Sequence, residues 1–96
     1  MNIEIEELQE MQRIISDRIF IRVESWNLYL GDAGLSEALA TACSANLDKG
    51  ANIAARKALD QVHVNLGGGN VQLPLTQLIS AGQIFDLEEI LEPYCK

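Results

Sequence analysis

His63 is the one histidine of the chain, and Cys43 and Cys95 are its two thiols. Acid–base, nucleophilic or metal chemistry would start from these three residues. Nucleophilic catalysis needs a nucleophile, a base in reach of it and a group that orients the base. His63 stands in Val62-His63-Val64-Asn65-Leu66, a run with no carboxylate of its own, and none of the five serines has a G-x-S-x-G setting. One histidine with two distant cysteines matches no zinc spacing, and the acidic residues follow no calcium-loop pattern. The cysteines form no C-x-x-C pair and read as free thiols of a reducing compartment. The expectation is a non-enzymatic chain with no catalytic residue, no metal and no cofactor.

Two further features invite a chemical reading and favour a plainer one. Gly67-Gly68-Gly69 could cup an anion with successive N–H groups, but a phosphate loop needs a following helix and a lysine, and here Asn70 and a strand pattern follow. Turn geometry with positive φ explains the glycines better. The acidic clusters Glu4/Glu6/Glu7/Glu10 and Asp86/Glu88/Glu89/Glu92 are expected in the first turns of helices. There each carboxylate complements the helix dipole by about 0.3–1 kcal/mol.

The elements that would position these residues follow from periodicity. Leu8, Met11, Ile15, Ile19, Val23, Trp26 and Leu30 recur at spacings of three and four, which predicts one long N-terminal helix over the first thirty residues. Ile14, Ile21 and Leu28 widen its apolar sector, so it is expected to be central and covered on more than one side. The β-rich run Ile19-Phe20-Ile21-Arg22-Val23 offers a strand as the local alternative. Gly31-Asp32-Ala33-Gly34 stops the helix, with glycine supplying the left-handed cap. A second helix is expected over 35–47 with Ser36 as N-cap, and a third over 52–61 with Ile53, Ala54, Ala58 and Leu59 inward. Val62 to Leu66 and Val71 to Leu73 alternate at period two around the glycines and predict a hairpin. Its core face would carry Val62, Val64 and Leu66 against Val71, Leu73 and Leu75. Ser80-Ala81-Gly82 reads as a break, and Asp86 with Glu89 as the capping box of a last helix that Pro93 ends.

Fold class is thus mainly helical α+β: a long N-terminal helix packed on short helices with one β-hairpin, in a single domain over 1–96. With 48% hydrophobic residues, the chain can build a core. Fourteen acids against seven bases leave a net charge of −7, which argues against a general polyanion binder. No apolar run approaches the length of a membrane span, and the acidic start is unlike a secretory signal, so the expected location is cytoplasmic.

Charge placement is more informative than any motif. From Gln61 through Phe85 there is not one Asp, Glu, Lys or Arg. Hairpins are marginal alone, and their edges are normally guarded by charge. Something must therefore cover this one, either the chain's own helices or another polypeptide. The order helix, turn, helix, hairpin also matches a winged helix-turn-helix with Arg56 and Lys57 on the recognition helix. Asp48 and Asp60 flank those bases and the would-be wing has none, so DNA binding or transcriptional regulation is the alternative reading rather than the first.

Val23-x-x-Trp26-Asn27-Leu28-Tyr29-Leu30-Gly31-Asp32-Ala33, Leu66-Gly67-Gly68-Gly69, Leu73-Pro74-Leu75 and Leu87-Glu88-Glu89-Ile90-Leu91 together resemble a small single-domain family of cyanobacteria with no assigned function. The resemblance implies a cytoplasmic protein of a photosynthetic bacterium and offers no catalytic residue to carry over. The expected function is protein–protein interaction or assembly, with another protein or a second copy as partner. The expected interface, or the core beneath it, comprises Trp26, Tyr29, Val64, Leu66, Val71 and Leu73.

Overall fold

A computed structural model of the chain describes residues 4–23, 26–66 and 71–95 and, within those, the side chains of all but Val23, Trp26, Asn65, Leu66 and Val71. Helix α1 spans Ile5–Arg18 and buries Met11 and Ile15. At its start the Glu4 N–H donates to Glu7 Oε1 at 3.2 Å. Beyond Arg18 the chain leaves the helix, with Ile19 already extended at φ −100° and ψ 131°. The long helix expected over the first thirty residues therefore stops at Arg18. A first antiparallel hairpin follows, β1 over Phe20–Val23 and β2 over Trp26–Tyr29, with Ile21 opposite Leu28 and Phe20 opposite Tyr29. The β-branched run wins because Ile19 and Ile21 still reach the core in strand geometry, both buried, as does Leu30 beyond β2. The three-and-four stripe and the two-residue alternation share these positions, which is why the stripe reads through the hairpin.

A short helix α2, Leu30–Ala33, turns the chain and is capped by Gly34 at φ 72°, with the Leu35 N–H donating to the Leu30 carbonyl. Gly34, not Gly31, is the left-handed cap. Gly31 serves close approach instead, since a Cβ there would lie 2.9 Å from Ser16 Cβ of α1. Helix α3 covers Ser36–Ala45 and α4 covers Ala51–Gln61. The N-cap of α3 is Leu35, and Ser36 is its first helical residue, buried. In α4, Ala54, Ala55, Ala58 and Leu59 face inward as small packing residues, whereas Ile53 is turned out and exposed.

The second hairpin follows α4 directly: β3 over His63–Leu66 pairs antiparallel with β4 over Val71–Pro74. Its register sets Val64 opposite Leu73 and Leu66 opposite Val71, as alternation predicts. The triple glycine lies outside the described residues. After a 3₁₀ turn over Leu75–Gln77, helix α5 runs Ala81–Leu91. Ser80-Ala81-Gly82 begins this helix rather than breaking the chain, because Ser80 Oγ accepts from the Gln83 N–H at 3.3 Å and caps it. Asp86 thus lies inside α5, and its acidic cluster occupies the C-terminal half instead of the first turn.

The four longer helices form a closed ring of neighbours, with α1 on α3, α3 on α4, α4 on α5 and α5 on α1. The core they enclose holds Met11, Ile15, Leu39, Cys43, Leu59 and Leu87, all fully buried. The chain is mainly helical α+β, with two hairpins among the described residues rather than one.

Candidate functional site

Each hairpin is anchored at its base, the first by Ile19 and Leu30 and the second by Val62 and Leu75. In the second, Val62 and Leu75 are buried against the bundle, while the next core-face pair, Val64 and Leu73, is only half-buried. Val64 still packs on the core cluster, but Leu73 does not. The side chains of Leu66 and Val71, one step further out, lie outside the described residues. In the first hairpin Phe20 and Tyr29 face each other on the outer side, their ring centroids 5.3 Å apart and tilted by 55°. Tyr29 is 39% exposed. Trp26 stands opposite Val23 in the ladder, and its side chain too lies outside the described residues. The six expected interface residues therefore divide between two separate sheets. Phe20 and the exposed Phe85 of α5 were not among them, and neither has a signal in sequence beyond being aromatic.

Helix α5 holds the first hairpin to the bundle. Gln83 Oε1 accepts the Phe20 N–H at 2.8 Å, and Asp86 pairs with Arg18 at the end of α1. At the other end of α5 the Tyr94 hydroxyl donates to Glu10 of α1. Burial, that bond and the charges of Glu10 and Glu7 push the Tyr94 hydroxyl up to about 12.

Between α3 and the start of β3 runs an open groove of about 680 Å³, walled by Gly34, Ala38, Thr41 and Ala45 on one side and by Gln61 and His63 on the other. Among the described residues, Glu37 is the charged one that lines it. His63 is exposed there, and among the described residues it makes no hydrogen bond to a carboxylate. Cys43 is sealed in the core and its thiol is pushed up to about 12, while burial and Glu92 raise that of Cys95. Both thiols are free, and shifts in this direction keep them protonated and poor nucleophiles at neutral pH. Among the described residues no group of three or more His, Cys, Asp or Glu is placed to hold a metal ion. On α4 the exposed bases Arg56 and Lys57 share their surface with Asp60, which accepts a hydrogen bond from Thr76. None of the described helices is long and apolar enough to cross a membrane.

The fold is a small helical ring carrying two hairpin arms, with an open groove between α3 and the start of β3. The chain belongs to the DUF3181 family of proteins of unknown function, whose model matches residues 6–94. It is 31% identical over 90 residues to the "Thylakoid-associated protein slr0729" of Synechocystis, an alignment covering 92% of this chain and 89% of that one. No solved structure matches the chain.

Proposed function

We propose that this chain is a non-enzymatic interaction module that docks onto another protein through its second hairpin. The observation that carries the reading is the half-burial of Val64 and Leu73. These residues face the core side of the ladder, yet the helices that bury Val62 and Leu75 at its base leave them half-covered. Leaving such a pair in water forfeits part of the roughly 1.5–3 kcal/mol that full burial of each side chain provides. A partner's surface can recover it, and no charge from Gln61 through Phe85 opposes the contact. The module works in the cytoplasm. The relative's name associates it with thylakoids, and we extend that location to this chain as peripheral attachment through a partner.

Purification of the tagged chain from a cyanobacterium tests the reading. The wild-type chain is expected to bring down a defined protein, and Leu73→Lys to lose it while remaining folded. Part of the captured pool should sediment with membranes and be released by an alkaline wash. A chain that is monomeric by light scattering and captures nothing specific would remove the proposal.

A further inference from the structure

We infer that the groove between α3 and β3 takes up an extended segment of another protein, which adds to β3 as a further strand and lays its side chains on the wall of α3. This rests on the interaction reading above and gives it a place and a partner chemistry. The first argument is the state of the strand edges. The Leu75 N–H donates to the Val62 carbonyl at 2.9 Å, so bonded pairs alternate from there through Val64–Leu73 and Leu66–Val71. The intervening residues His63 and Asn65 then direct their backbone N–H and C=O away from β4. Among the described residues no hydrogen bond takes up these groups. The edge of β4 differs at its base, where the outward position Pro74 has no N–H and the strand packs toward α4, while Gln72 further along turns its N–H and C=O outward. The edge of β1 is occupied, with Gln83 taking the Phe20 N–H and the Leu78 carbonyl the Arg22 N–H. Among the described residues, β3 is an open edge that runs beside a groove, and His63 belongs to both.

The second argument is what the groove would accept. Gly34, Ala38, Thr41 and Ala45 leave room for the larger side chains of an incoming strand. Main-chain bonds along such an edge give affinity, and pockets for alternate side chains give specificity. The charge at the wall is Glu37, in a chain of net charge −7, so the fitting segment joins apolar residues to a Lys or Arg. A second copy fits less well. It would bring seven further negative charges, and its β3 would arrive with β4 alongside, so that two strands about 4.8 Å apart would have to lie over α3.

A display library of random short peptides, selected on the full-length chain, tests this. Fluorescein-labelled copies of the enriched peptides are then titrated by anisotropy against wild type, His63→Pro, Thr41→Arg and Glu37→Lys. His63→Pro removes the outward N–H of an edge residue together with the exposed imidazole, which a parallel His63→Ala control separates. Thr41→Arg fills the groove from an exposed position, so its melting temperature should match wild type. The expected result is enrichment of basic-and-apolar extended peptides whose affinity falls about tenfold or more in all three variants, a loss of about 1.4 kcal/mol in binding. N-methylation of alternate peptide residues should weaken them likewise. Peptides that bind but ignore His63→Pro and Thr41→Arg would overturn the groove assignment and leave the interaction reading standing. So would a native partner captured equally well by those variants, or a dimer that Thr41→Arg dissociates. An absence of enriched peptides alongside a captured native partner overturns the assignment alone, whereas absence of both removes the wider reading too.

Discussion

Glycines that look alike in sequence do different work at Gly31, Gly34 and Gly82. At Gly31 an added Cβ would meet the Cβ and carbonyl oxygen of Ser16 at 2.9 and 3.2 Å, so α2 lies against α1 only because position 31 is bare. Gly82, in the first turn of α5, would bring its Cβ no closer than 3.9 Å to Ser80 Oγ, an ordinary contact. Gly31→Ala should therefore cost about 1–3 kcal/mol of unfolding free energy as overpacking. Gly82→Ala should add about 0.4–1 kcal/mol by restricting the unfolded chain. Urea denaturation of the two variants checks both signs, and equal effects would contradict the packing described. Sequence locates these glycines but cannot tell a close approach from a cap, because the neighbour that decides, Ser16, lies fifteen residues away. The same holds for Ile53, which satisfies the helical spacing yet points outward because the α4 contacts are made by alanines.

At the scale of elements, the first hairpin depends on α5. Phe20 is half-buried and its N–H has one acceptor, Gln83 Oε1, while the Arg18–Asp86 pair beside it is partly exposed. Leaving a buried donor unmatched costs about 1–3 kcal/mol, whereas an exposed ion pair is worth about 0–1 kcal/mol. Gln83→Ala should accordingly destabilise the chain more than Asp86→Ala, with the loss seen first as faster amide exchange in β1. The reverse order would mean that the ion pair, and not the side-chain cap on the strand, fixes the arm. This pairing also shows where sequence reading stopped. The α3 and α4 helices, the β3–β4 register and the stop near Pro93 were legible because each rests on local periodicity or a breaker. The end of α1 was not, because Ile19, Ile21 and Leu30 satisfy helix and hairpin patterns alike. In sequence Ser80 resembles a break, because its capping role depends on the Gln83 N–H that donates to it.

For the whole molecule, the four longer helices close a ring around the core, and the proposed contact falls to the arms. The uncharged stretch from Gln61 to Phe85 pointed to the second arm, and the half-buried Val64–Leu73 pair gives that expectation a physical form. The open edge of β3 was not legible in sequence, since it depends on which strand turns toward α4. Val64 and Leu73 belong to the arm itself, whereas Trp26 and Tyr29, grouped with them by residue type, belong to the other sheet. Amide hydrogen exchange across residues 62–66 and 71–74, compared between the isolated chain and the assembly captured from cells, tests the central claim most directly. The account predicts that these amides exchange much faster than those of Leu39 and Leu59 in the isolated chain and slow about tenfold or more in the assembly, as expected when local opening is suppressed by a bound partner. An arm already as protected as the helices when the chain is alone, or unchanged in the assembly, would contradict it.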